Sequence, residues 1–292
     1  MLKAIISNIS NQNESVRIKI LLQVTCLFWL VAKLITWKLW LSNRLYPITP
    51  VFDIFYKVHE GFHILLLLVS IICLIFLFLR PKTNHLLVVL LIVEILSCAL
   101  DQNRWQPWEY QYIFTIFIFL IYKKKQENII VTIAFILACT YFFSGLSKIN
   151  SGFLDKVWSN MILMKFFKVS KMIANHHIIR HIGYLFGIAE AALGLALFVG
   201  KPRKIVAVVL ILMHLFILFL LGPFGLKYNS SIWPWNMSMI FYLITIFFSS
   251  YKLDFLKLVQ VESIPVVIFW GLLPALNFIG KWDDYLGSAE KL

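Results

Sequence analysis

The sequence predicts an all-α fold: a polytopic transmembrane helical bundle of about eight to nine spans, with an amphipathic surface helix between spans five and six. Three observations predict it. Of 292 residues, 61% are hydrophobic and 14% are charged, where soluble domains carry about 25% charged residues. Mean hydropathy is +0.84, and the apolar residues gather into runs near the roughly 20 that cross a bilayer. The 26 Phe and 10 Trp suit lipid and its interface.

The elements follow in order. A polar segment, SNISNQNESVR, precedes the first apolar run. That run is too long for the apolar core of a signal peptide, so it reads as a first membrane helix over residues 18–41. Further spans are predicted at 62–79, 85–100, 108–122, 129–143, 182–199, 205–221 and 237–248. A ninth run, 264–279, contains Pro274 and spans, tilts or re-enters. The connector 150–181 alternates apolar clusters with lysines at near-helical spacing, which predicts an amphipathic helix at the membrane surface. No internal repeat or linker divides the chain, so 1–292 is expected to be one integral-membrane domain.

The net charge of +13 would suggest nucleic acid in a soluble protein. Here the basic residues lie in short loops, so membrane lipids, and no nucleic acid, are the expected partner. With a cytoplasmic N-terminus, the cytoplasmic loops hold Arg80/Lys82, Lys123–Lys125, Lys201/Arg203/Lys204 and Lys252/Lys257, in line with the positive-inside rule. DQNRWQPWE, the connector and GPFGLKYNSSIWPWN then face the other side, where a site would open. Cys26, Cys73, Cys98 and Cys139 all sit in apolar runs without a CxxC pair. They read as inert buried thiols.

Several groups could carry chemistry. Asp101, Arg104, Trp105, Glu109, Tyr110 and Tyr112 crowd the segment DQNRWQPWEYQY. They read as an interfacial belt, with Trp105, Trp108 and Tyr110 at headgroup level and an Asp101–Arg104 pair, or as a polar lid over a pocket. Lys148 ends the apolar stretch YFFSGLSK. It is a snorkelling anchor, or a base if its amine is partly desolvated. Glu94, Glu190 and His214 lie inside apolar runs, where ionisable groups face a cavity or a partner. Lys33 and Lys38 are expected to snorkel. Trp235 and Asn236, in WPWN, are belt or pocket rim. His177 and His181 stand at i, i+4 but lack a nearby carboxylate, so no metal is predicted. No phosphate loop, GxSxG turn or zinc spacing occurs, which leaves hydrolase and NTPase readings without support.

Together these stretches resemble the integral-membrane part of vitamin K-dependent γ-carboxylase and its bacterial relatives, the HTTM-domain proteins. The likeness rests on Asp101-x₃-Trp105-x₄-Tyr110-x-Tyr112, on YFFSGLSKIN, on Glu190 in its apolar helix, and on His214 followed by a second aromatic loop. It covers roughly residues 15–250, leaving 251–292 as a C-terminal hairpin and tail. The resemblance implies that Lys148 and His214 are catalytic. Lys148, second of the family's lysine pair, would be the base for a reduced quinone of the vitamin K hydroquinone type, used with O2 and CO2 to carboxylate a peptide glutamate. Asp101, Arg104, Trp105, Tyr110, Tyr112, Glu190, Trp235 and Asn236 would line the pocket, in a bacterial inner membrane. Ser147 stands at the first lysine of the pair. The loop YKKKQENII is short, and the carboxylase's large C-terminal soluble domain is not expected. A non-catalytic accessory subunit of a peptide-maturation or export system, binding a soluble partner through the connector or the tail KWDDYLGSAEKL, is the alternative, and a transporter the third.

Overall fold

A computed structural model describes residues 14–81, 83–123, 125–199, 202–227, 229–249 and 253–280. Among them there are helices and no strands. Six helices are long and apolar enough to cross a membrane: Glu14–Ile35 (α1), Glu60–Leu79 (α2), Gln126–Ser147 (α5), His177–Ala196 (α6), Arg203–Leu221 (α7) and the composite Val261–Ile279. Three shorter helices fall where further spans were predicted: Asn84–Leu100 (α3), Pro107–Ile121 (α4) and Trp233–Phe247 (α8). The tail 281–292 lies outside the described residues, as do the N-terminal residues 1–13 and the loop lysines Lys82, Lys124, Lys201 and Lys252.

The chain forms two compact units, residues 1–130 with 231–251 and residues 131–230 with 252–292. In the first, α1 is the central helix and packs against α2, α4 and α8. The reason is visible in the helical stripes. Buried residues recur at Leu66, Ser70, Cys73 and Leu77 on α2, and at Leu87, Leu90, Glu94 and Ser97 on α3. These are the three- and four-residue steps of one helix face. The opposite faces expose Leu65, Leu68, Ile72, Ile92 and Ile95, as suits contact with acyl chains. Glu94 thus lies on the inward stripe. Hydrogen bonds bind the helices where the apolar effect cannot: Thr25 to Tyr242 at 2.7 Å, and Tyr112 to Ser238 at 3.1 Å. Pro107 and Pro234 open α4 and α8 at positions whose N–H has no helical partner.

In the second unit, residues Phe153–Phe166 of the connector form a π-helix. Its buried pairs Phe153/Leu154, Val157/Trp158 and Met161/Ile162 repeat every four residues, wider than the α-helical 3.6. Phe167 N–H accordingly bonds Ile162 carbonyl, five residues back. Asp155, Lys156 and Lys165 are exposed, so the segment is two-sided, and its apolar side packs on α6. There Gly183 leaves room for Leu154 and Trp158, and the Trp158 indole donates to Ile179 carbonyl at 2.8 Å. Arg203 closes the C-terminus of α6 by donating to the Leu197 and Phe198 carbonyls, and to Leu253. The final segment is broken into 3-10 and π turns around Pro265 and Pro274. All four cysteines are free and buried.

Candidate functional site

Lys148 is not an isolated anchor. Its Nζ donates to Glu190 Oε2 at 2.6 Å and to Ser144 Oγ at 2.7 Å, with a longer contact to Ser144 carbonyl at 3.3 Å. The Lys148 and Glu190 side chains keep 17% and 9% of their surface, so the cation is shielded yet reachable. Glycines make the pair possible. A Cβ at Gly145 would stand 2.6 Å from Gly187 carbonyl oxygen, and one at Gly194 would stand 2.8 Å from Ala138 carbonyl oxygen. Gly183, Gly187, Ala191 and Gly194 thus form a small-residue stripe on α6, of the kind that lets membrane helices touch backbone to backbone. Helix α5 lies in that groove, and Glu190, beside Ala191, reaches Lys148.

Tyr141, Ser144 and Lys148 follow at i, i+3 and i+7, along one face of α5 and its end. The Tyr141 hydroxyl is 2.7 Å from His214 Nε2 on α7. One side of α5 therefore carries two polar dyads, Lys148–Glu190 and Tyr141–His214. Every group in them is ionisable.

The remaining predicted pocket residues belong to the first unit, where they bind one another. Asp101 ends α3 and is completely buried. Its Oδ1 accepts from Thr49 N and Oγ1 and from Asn103 N and Nδ2, and its Oδ2 pairs with Arg44. The long loop 41–59 is stapled by these bonds, with Val51 N–H to Ala99 carbonyl and Gln102 N–H to Thr49 carbonyl beside them. The expected Asp101–Arg104 pair is present at 3.7 Å, but Arg104 has its own work. It donates to the carbonyls of Leu39, Trp40 and Ser97, to Ser97 Oγ, and to His63 Nδ1. Burial brings its guanidinium down to about 10, opposed by Asp101, so it stays charged at neutral pH. Trp105 and Tyr110 stack on each other with centroids 4.6 Å apart. Tyr112 bonds Ser238, Trp235 donates to Gln111 Oε1 at 2.7 Å, and Asn236 donates to Ile232 carbonyl. These side chains serve as ties between elements.

One cluster is differently composed from the sequence reading. Lys33 does not snorkel. Its ammonium is fully buried, 2.8 Å from Glu94 Oε2 and 4.0 Å from Glu109 Oε1, and it lies over the Trp40 ring at 3.1 Å from the centroid. Ser70 bonds the other oxygen of Glu94, and Trp29 donates to Glu109 Oε2 at 2.8 Å. The signal for this cluster was the cost of Glu94 in an apolar run, which demands a cation from a neighbouring helix. Lys38, in contrast, is exposed. On the connector, Arg180 grips Asp155 at 2.6 and 3.1 Å and holds its carboxyl below the usual range. Among the described residues no three His, Cys, Asp or Glu side chains gather to hold a metal.

No protein-family model, curated protein or solved structure matches the chain.

Proposed function

We propose that the protein is an integral membrane enzyme of the carboxylase-like, HTTM kind, in which Lys148 is the base towards a lipid-soluble acid of the hydroquinone class. The observation that carries this reading is the Lys148–Glu190 pair: a cation and a carboxylate 2.6 Å apart, partly reachable, at an apolar rim. Ile149 and Ile188 beside them are 41% and 50% exposed, so a flat apolar ring has a greasy approach to a polar end point. The residues fit such a group on that ground. A bound hydroquinone would supply the oxygen-driven chemistry that turns a weak base into one able to deprotonate a peptide glutamate for CO2 addition.

The chain's own part is proton handling. The Lys148 ammonium passes a proton to the Glu190 carboxylate, and the freed amine accepts the proton of the acid's hydroxyl. Both protons remain in the pair as ammonium and carboxylic acid, and Ser144 holds the ammonium in place. Tyr141–His214 is a second proton carrier on the same side of α5. In this reading α3, α4 and α8 also cross the bilayer, giving nine crossings with the composite last helix, and the π-helix rests at the non-cytoplasmic surface.

The test is oxidation of vitamin K hydroquinone by the purified protein in nanodiscs, with quinones extracted from it identified by mass spectrometry. Lys148→Ala should abolish turnover while the protein remains folded. Undiminished turnover refutes the role of Lys148. A second reading, a non-catalytic accessory subunit, is favoured by the saturation of Lys148: its close bonds are already made to Ser144 and Glu190, as in a structural clamp. Co-purification of a stable partner without any bound quinone would select it.

A further inference from the structure

The Lys33–Glu94–Glu109 cluster presents a charge count that does not close. Two carboxyls on α3 and α4 face a single ammonium from α1, and all three side chains are fully buried. Glu94 takes the ammonium at 2.8 Å and the Ser70 hydroxyl, so both its oxygens are engaged with donors. Glu109 has one donor, the Trp29 indole, on Oε2. Its Oε1 is buried without a hydrogen-bond donor, and it stands 4.0 Å from the same ammonium that Glu94 holds at 2.8 Å. Two ionised carboxylates in that position would repel across a dry interior and leave a net negative charge.

The other groups facing Glu109 do not supply the missing charge. Cys98 on α3 and Tyr112 on α4 are neutral hydrogen donors, and both are buried. Arg104 is committed to three carbonyls, Ser97 and His63. A metal ion has too few ligands here, since among the described residues no third carboxylate, His or Cys joins the two acids in a metal-binding group.

We infer that this cluster is a proton-binding site in which Glu109 carries the proton, Oε1–H donating to the Glu94 carboxylate while Glu94 pairs with Lys33. A proton there gives the orphaned oxygen a bond to make and brings the cluster to neutrality. This site is independent of Lys148.

Infrared spectroscopy of the full chain in nanodiscs at pH 7.5 tests it. The wild-type protein should show a protonated-carboxyl C=O band, and Glu109→Gln should remove that band while keeping the melting temperature, because a neutral amide replaces a neutral acid. Absence of the band in wild type, its persistence in Glu109→Gln, or failure of Glu109→Gln to fold would each overturn the proposal. A small cation instead of a proton would show as a wild-type melting temperature that falls when Na⁺ and K⁺ are replaced by N-methylglucamine. The proposal expects no such dependence, and finding one overturns it.

Discussion

Replacing Gly145 with Ala adds one methyl at the closest approach of α5 and α6. Its carbon would sit 2.6 Å from Gly187 carbonyl oxygen, 2.8 Å from Ala191 Cα, and nearer still to Ala191 N, where ordinary contacts begin at 3.4 Å. All three obstacles are backbone, so no side-chain rotation relieves them, and the helices must part by roughly 1.1 Å in a close-packed interior. Overpacking of this kind costs about 1–3 kcal/mol. Ala returns roughly 0.5–1 kcal/mol through its helix preference. The net loss is up to about 2.5 kcal/mol, which corresponds to a fall of up to roughly 10 °C in melting temperature for a chain of this size. Tryptophan fluorescence on heating in nanodiscs reads it. Gly61→Ala is the control: its Cβ meets only the His59 imidazole at 3.2 Å, and it should melt at or above the wild-type temperature. The coupling between Lys148 and Glu190, measured by a double-mutant cycle, should shrink in the Gly145→Ala background. A Gly145→Ala protein that melts like wild type and keeps the full coupling would refute the backbone contact.

Other outcomes follow from the same geometry. Arg104→Lys leaves three donors where five acceptors are aligned, and should cost on the order of 3 kcal/mol despite the retained charge, seen as a lowered melting temperature. Asp101→Asn turns a donor towards Arg44 and frees the loop 41–59, so limited proteolysis should cut within that loop in the variant and spare the wild type. Thr25→Val removes the bond to Tyr242 and should cost only about 0.6 kcal/mol, typical of hydrogen bonds between membrane helices. The Asp155 carboxyl is held low by Arg180, so this pair's contribution is present above the ordinary Asp pKa and fades as pH falls through the lowered one. Because the site is open to water, the loss should appear in Asp155→Asn comparisons as a small effect confined to acid pH.

The fold class was legible because apolar runs and short basic loops are local properties. The inward placement of Glu94 was legible too, since the cost of a buried acid needs no knowledge of its partner. Lys33 was misjudged for the complementary reason: near a helix end, lysine is ordinarily free to reach water, and only the packing of Trp40 over it closes that route. The motif DQNRW announced a polar cluster, but its purpose as a staple for loop 41–59 depends on Thr49, some fifty residues away. The π-helical winding of Phe153–Phe166 was hidden because a four-residue repeat is close enough to 3.6 to pass for an ordinary amphipathic helix. The small residues Ser144 and Gly145 in YFFSGLSK allow the close approach that the matching stripe on α6 completes.

That stripe has a consequence for how the spacing of the helices bearing Lys148 and Glu190 can change. Where helices meet through large side chains, a substitution or a rotamer change adjusts their spacing in small steps. Here the meeting surface is main chain, which offers no such adjustment. The spacing of the two backbones that carry the charges is thus fixed by peptide geometry. It can be altered only by sliding or parting two whole helices, a motion that lipid composition and detergent can oppose or assist but that repacking of side chains cannot imitate.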